Sequence, residues 1–287
     1  MPASICVGSA ALKDKFAGQP DLPAVGFTAS GGYNGGVKLE GKTAVVTGAA
    51  VRLGRAIALD LAEQGANVVV HYGSHADEAA AVVRTIQERM GRHAIAVQAD
   101  LSDPVRGAAM LFDAVREQFG GADVLVNNAA IYEPGDFGSI SEDHWDRHLG
   151  LNLKAPFFLA QRFAEQFGRQ SADGRTGCIV NILCRRATRP TAEDLPYTAA
   201  KAGLAALTKG LALRLAPSIR VNGVAPGEML PPTGRHDDPV AWAEQTSRHI
   251  PLRRVGGADP VASAVRYLCE ADFVTGETIH VTGGDHL

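Results

Sequence analysis

From position 42 onward the apolar residues of this chain fall into short unbroken runs, and these alternate with longer stretches in which apolar residues recur every three or four positions. The runs are 43–47 (TAVVT), 67–72 (NVVVHY), 94–100 (AIAVQAD), 123–129 (DVLVNNA), 178–183 (CIVNIL), 219–226 (IRVNGVAP) and 278–283 (TIHVTG). Short β-branched runs bounded by turn residues predict buried strands. The periodic stretches predict helices over 55–64, 76–91, 103–119, 142–168, 196–215 and near 259–270. Gly65 ends the first of them in the manner of a C-terminal cap. Strand and helix alternate throughout, which predicts a parallel sheet of about seven strands covered on both faces. The expected fold is therefore a Rossmann-type, doubly wound α/β domain over 38–287, with no repeat and no second domain.

Residues 1–37 differ. They hold scattered Gly, Ser and Pro (TASGGYNGGV) without periodicity. They read as a flexible extension, or as sequence upstream of a true start near Val37.

Composition adds limits. At 287 residues, 46% apolar and 21% charged, the chain suits one large globular domain. A net charge of −3 gives no reason to expect a nucleic-acid partner. No apolar run approaches the roughly 20 residues that span a bilayer, and the opening MPASICVGSAALKDKF lacks the basic start of a secretory signal. Cys6, Cys178, Cys184 and Cys269 form no C-x-x-C pair and no disulfide framework, so a reducing cytoplasm is expected.

The turn after the first strand, TGAAVRLG, holds Gly48 and Gly54. Glycine there permits a tight bend and lets backbone approach a pyrophosphate, at which a helix starting near Leu53 would aim its positive end. The second strand ends HYGSH, from His71 to His75, and no carboxylate follows until Asp77. Sites for NAD put an acid here against the ribose 2′-hydroxyl. Arg52, Ser74 and His75 would instead receive a 2′-phosphate, so the expected cofactor is NADP(H); the alternative is a solvated loop arginine. His71, Leu101 and Ala129 are assigned to the same cofactor cleft. Asp100 either accepts from the adenine amino group or caps the next helix, a role open equally to Ser102 and Asp103.

In YTAAK, Tyr197 and Lys201 stand four apart on one helix face. An ammonium nearby stabilises phenolate and lowers the tyrosine pKa toward that of a working acid.

With these residues the chain resembles the short-chain dehydrogenase/reductases. The matching elements are TGAAVRLG, NNA (127–129), Asn152 in LNLKAPF, IVNI (179–182), YTAAK, VNGVAPG (221–227) and the closing VTGGDHL. The resemblance implies that Tyr197 donates the proton and that Lys201 binds the nicotinamide ribose. It further implies that Asn152 holds a proton-relay water, and that Asn128, Pro226 and Gly227 lie along the cofactor. It also implies a homotetramer with helices 142–168 and 196–215 buried between subunits. One departure stands out. Thirteen residues before the tyrosine, where the family places serine, this chain has Cys184, and a thiol is a weaker donor.

Within the family, the arginine-bearing loop and HYGSHADEA resemble the pteridine and dihydromonapterin reductases. That branch stacks an aromatic residue on the pterin three positions after NNA, which here is Tyr132. It carries aspartate where this chain has Cys184. Met229, Leu230 and Trp242, within a Pro/Gly-rich substrate loop at 226–257, are expected pocket walls. His144 and His148 stand four apart without a third metal ligand at a recognisable spacing, so an exposed or interface position is expected. Arg185 and Arg186 meet either an anionic substrate group or solvent.

The sequence thus predicts an NADPH-dependent reductase of a small molecule, with a dihydropterin favoured. A carbonyl reductase is the first alternative, and a catalytically weak NADP sensor the second.

Overall fold

In the computed structural model, the described residues are 38–170, 176–232 and 238–287. The extension at 1–37 and most of the RHDD segment lie outside them. Seven strands form one sheet: β1 (Thr43–Val46), β2 (Asn67–Tyr72), β3 (Ala94–Gln98), β4 (Val124–Asn127), β5 (Gly177–Ile182), β6 (Ile219–Pro226) and β7 (Thr278–Val281). Their order is β3-β2-β1-β4-β5-β6-β7. Every pair is parallel. Strand order reverses between β1 and β4, and in such sheets the ligand crevice opens there, beyond the C-terminal strand ends.

The helices are α1 (Arg52–Glu63), α2 (Ala76–Met90), α3 (Pro104–Phe119), α4 (Glu142–Leu149), α5 (Ala155–Gln170), α6 (Leu195–Leu215), α7 (Pro239–Ser247) and α8 (Asp259–Glu270). They cover both faces, which is why the central strands are apolar on both sides. Successive strand residues point to opposite faces. Val46, Val70, Val126 and Val180 join Ile57, Leu61 and Leu268 in one core. Val45, Val69, Leu125 and Ile179 join Leu111, Phe112, Leu159 and Phe163 in the other. No helix among the described residues is long and apolar enough to cross a membrane.

Two expectations needed correction. The helix expected over 142–168 is broken: α4 and α5 are separated by a π-helical turn, Gly150–Lys154. Pro156, two residues into α5, has no N–H to return to the carbonyl of Asn152, and such widened turns recur at functional sites. The 226–257 segment is not all loop, since it contains α7. Asp238 caps that helix, accepting from Val240 N at 2.9 Å and Ala241 N at 3.0 Å, and Pro239 occupies its first turn.

Candidate active site

The turn between β1 and α1 is built for close backbone approach. A Cβ on Gly54 would lie 2.1 Å from the carbonyl oxygen of Gly48 and 2.6 Å from Nδ2 of Asn128. Asn128 holds the turn from β4, donating through Nδ2 to Thr47 O at 2.8 Å and Gly48 O at 3.1 Å. The Thr47 hydroxyl accepts from the amides of Asn128 (2.9 Å) and Ala129 (3.0 Å). Gly48 N donates to Nδ1 of buried His71 at 3.1 Å, and the opposite ring nitrogen meets Ala99 O at 3.0 Å. The proton therefore sits on Nε2. Burial pushes His71 below its ordinary value, against the raising effect of the Ala99 hydrogen bond. His71 lines the cleft but spends both ring nitrogens on backbone, so it shapes the loop.

The turn opens into a cleft of about 490 Å³. Arg52, Ser74, His75, Leu101, Ala129 and Leu151 are among the residues that line it. Ser74 Oγ lies 3.3 Å from His75 Nδ1. Arg52 adopts φ 55, the left-handed region that side-chain-bearing residues rarely enter. Among the described residues, the only carboxylate lining the cleft is Asp100. It accepts from the Ser102 amide at 2.8 Å, and the Ser102 hydroxyl first, then this amide, hold its carboxyl below the usual range. The α3 cap is Asp103, through Arg106 N at 3.3 Å; Asp100 closes its own turn. The closely packed glycine turn, a cation lining the cleft and no acid at the end of β2 fit NADP.

A second cavity, about 200 Å³, shares Arg52, Leu53, Asn128 and Ala130 with the first. It is lined by Cys184, Tyr197, Lys201, Pro226, Gly227, Met229 and Leu230. Cofactor cleft and catalytic pocket are therefore one continuous groove. Lys201, 2% exposed, donates from Nζ to Ile182 O at 2.8 Å and lies 5.8 Å from the Tyr197 ring centroid. Burial lowers it to about 8, with Cys184 opposing that shift. Tyr197 moves the other way from the expectation. Burial, then the neighbouring Cys184 thiol, push its phenol well above the ordinary value. Asn152, fully buried in the π turn, clamps Ile131 from both ends of its amide: Oδ1 accepts from Ile131 N and Nδ2 donates to Ile131 O, each at 3.0 Å.

Tyr132 stands edge-on to Tyr197, ring centroids 5.1 Å apart and planes at 75°. Its hydroxyl donates to Asp194, which also accepts from Arg186 Nη1 at 2.7 Å. Asp194 was not singled out in the sequence. His148 is fully buried, not exposed, and also meets Tyr197 edge-on, at 6.5 Å. It stacks on His144 at 4.6 Å, accepts from Glu133 N at 3.2 Å, and directs Nδ1 to His144 O at 2.8 Å. Among the described residues no three His, Cys, Asp or Glu side chains could hold a metal ion.

Trp242 is placed elsewhere. It lines a separate cavity of about 410 Å³ with Arg185, Glu228, His249 and Asp285. Arg185 bridges Glu228 (3.1 Å) and Asp285 (2.8 Å), so it meets this chain's own carboxylates. Glu228 borders both this cavity and the catalytic pocket, and it too was missed in the sequence.

The profile of the family described as enoyl-(acyl carrier protein) reductase matches residues 48–286. A 3-oxoacyl-[acyl-carrier-protein] reductase of Staphylococcus aureus is 39% identical over 250 residues, 86% of this chain and 98% of that protein. The crystal structure of FolM alternative dihydrofolate reductase 1 from Brucella canis, complexed with NADP, superposes with a TM-score of 0.79 at 33% identity. It covers 87% of this chain and 95% of that one. A short-chain dehydrogenase from Burkholderia cenocepacia, also with NADP, gives a TM-score of 0.79 at 37% identity, covering 88% and 100%. Joined to the glycine turn, the Tyr197–Lys201 pair and Asn152, these likenesses establish that the chain belongs to the short-chain dehydrogenase/reductase family, as an NADP-dependent oxidoreductase.

Proposed function

We propose that this enzyme reduces a C=N bond in a flat, conjugated heterocycle of the dihydropterin class. The observation that carries this reading is Tyr132. Its hydroxyl is anchored and its ring, 42% exposed, stands at the pocket beside Tyr197. An exposed aromatic face next to the proton donor suits a flat, polar bicyclic ring. The likeness to FolM supports the same reading.

Bound NADPH supplies the hydride that reduces the ring carbon. Tyr197 donates its phenolic proton to the ring nitrogen. The upward shift of that phenol keeps the proton in place at neutral pH. The Lys201 ammonium, held by Ile182 O near the Tyr197 ring, stabilises the phenolate left behind. Asn152 keeps one N–H and one lone pair beyond its bonds to Ile131, enough to hold a relay water that returns the proton. Cys184 lines the same pocket.

A second reading, reduction of a ketone or 3-oxoacyl carbonyl, is favoured by Cys184 itself. A pocket with a thiol in place of an acid needs only to polarise one oxygen, and the staphylococcal relative is named for such a reaction. The separating experiment follows NADPH absorbance with dihydrobiopterin and with a ketone panel, for wild type and for Cys184→Asp and Cys184→Ser. Dihydrobiopterin turnover by wild type supports the first reading. Ketone turnover alone, faster in the serine variant, supports the second. Tyr197→Phe is expected to abolish turnover while sparing NADPH binding.

The apolar side chains left exposed on α4, α5 and α6 (Trp145, Phe157 and Leu213) support a homotetramer packed through these helices. The free thiols of Cys178, Cys184 and Cys269 suit a reducing cytoplasm.

A further inference from the structure

Asp194 stands three residues before Tyr197, at the N-cap position of α6, and makes no side-chain cap there. Aspartate in that place usually accepts from the first-turn amides. Here the backbone takes φ 54 and ψ 48, the left-handed conformation, and the side chain turns away. It is 3% exposed. Its Oδ2 accepts from the Tyr132 hydroxyl and from Arg186 Nη1 at 2.7 Å. Arg186 closes the triangle, with Nη1 at 3.3 Å from Tyr132 Oη and the guanidinium 5.3 Å from the ring centroid. Burial raises the Asp194 carboxyl, but the hydrogen bonds from Tyr132 and Arg186 outweigh it and the net shift is downward. Tyr132 is pushed up by burial and then by Asp194. The roles are therefore fixed: a carboxylate accepts, a phenol and a guanidinium donate.

Two parts of the chain far apart in sequence meet in this triangle: the strand-end loop with Tyr132, and the β5–α6 connection, which carries Arg186 and, eight residues on, Asp194 at the start of the helix that holds Tyr197. A hydroxyl held from two directions leaves the Tyr132 ring little freedom about its long axis. A buried ion pair adds little net stability over an apolar replacement, so its effect belongs in geometry.

We propose that Asp194 is a positioning residue for substrate selection: with Arg186 it locks Tyr132 as a rigid wall beside Tyr197, sized for a flat ring. The inference rests on the reading that such a ring lies against Tyr132. Asp194 does not touch the reacting atoms; it acts through Tyr132.

The test uses Asp194→Asn, which tolerates the left-handed backbone, and Tyr132→Phe, which keeps the ring and loses the hydroxyl. The double variant and Asp194→Asn/Arg186→Met complete the set, the latter leaving no unpaired buried charge. For each, kcat and KM for dihydrobiopterin and for a small ketone are measured, with Kd for NADPH and Kd of dihydrobiopterin on the NADP complex. Expected are a rise of about tenfold in dihydrobiopterin KM and Kd, kcat within about threefold, and unchanged NADPH Kd. Small-ketone KM should barely move. The Asp194→Asn/Tyr132→Phe double should be no worse than the worse single, because both act on one contact, weakened in the first and lost in the second. Additive losses, or equal losses in kcat, KM and NADPH Kd, overturn the positioning role. So does wild-type dihydrobiopterin affinity in every variant, which leaves the pterin reading standing. Wild-type binding of dihydrobiopterin without turnover defeats the pterin reading, and positioning is then decided by Kd. Absence of both binding and turnover in wild type overturns both.

Discussion

Gly54 packs against Gly48 so closely that a single added carbon would stand 2.1 Å from the Gly48 carbonyl oxygen and 2.6 Å from the Asn128 amide nitrogen. Neither neighbour can yield cheaply. One is backbone, and the other holds Thr47 and Gly48 by two hydrogen bonds. Gly54→Ala should therefore push the turn open and cost about 1–3 kcal/mol, the usual range for overpacking. NADPH affinity should fall with it if the displaced backbone receives the cofactor's phosphates, as the glycine turn after β1 leads us to propose. Thermal unfolding and NADPH titration check both. An alanine variant with wild-type Kd would show that the turn does not meet the cofactor.

Arg52 presents a charge from a strained backbone, at φ 55. Asparagine tolerates that region and is neutral, so Arg52→Asn isolates the electrostatic part. A charge-assisted hydrogen bond contributes about 1.5–3 kcal/mol, so kcat/KM for NADPH should fall roughly tenfold to a hundredfold. The value for NADH, which lacks the 2′-phosphate, should hardly change. Equal losses with both cofactors would remove Arg52 from 2′-phosphate recognition.

The sheet and the groove were legible because strands buried on both faces must be continuous apolar runs, and the cofactor turn needs glycines at Gly48 and Gly54. Met229 and Leu230 line the pocket that holds Tyr197 and Lys201, whereas a helix within 226–257 carries Trp242 to another cavity. The signal for that helix was present in Asp238-Pro239, a cap followed by a first-turn proline. Pro156 likewise marked the break in the helix expected over 142–168. Asp194 was beyond reach. Its sequence setting, before Leu195-Pro196, reads as an ordinary helix cap, and its real partner Tyr132 lies 62 positions away. Only the tertiary fold brings them together. The spacing of Tyr197 and Lys201 could not show that burial and Cys184 push the Tyr197 phenol upward, because both depend on the tertiary fold.

His71 links pH to the shape of the cofactor turn. Its fold-state pKa lies below the ordinary 6.5, through burial. The folded state then binds fewer protons than the unfolded one, so its contribution is full above 6.5 and declines as pH falls toward the lowered value. Protonated, the ring loses the lone pair that receives Gly48 N. Stability and NADPH affinity should both fall on acidification below 6.5. His71→Gln, whose amide both accepts and donates, should lack this component. The check is a pH series of thermal unfolding for the two proteins, and parallel curves would sink the idea.

Lys201 should make the fold less stable at neutral pH than a methionine would. Its pKa drops from 10.5 to about 8 on burial, a shift that corresponds to roughly 3 kcal/mol of disfavoured ammonium. About 1 kcal/mol is recovered in the bond to Ile182 O. Below about 8 the folded protein carries the whole cost. Between about 8 and 10.5 it has released its proton while the unfolded chain still holds one, so wild-type stability rises with pH through that window. Lys201→Met should therefore unfold at higher temperature than wild type at pH 7, by about 1–2 kcal/mol, and the advantage should shrink as pH rises. It should have no measurable turnover, because nothing then stabilises the Tyr197 phenolate. A methionine variant less stable than wild type at neutral pH would mean that the ammonium is better solvated by its neighbours than its burial implies.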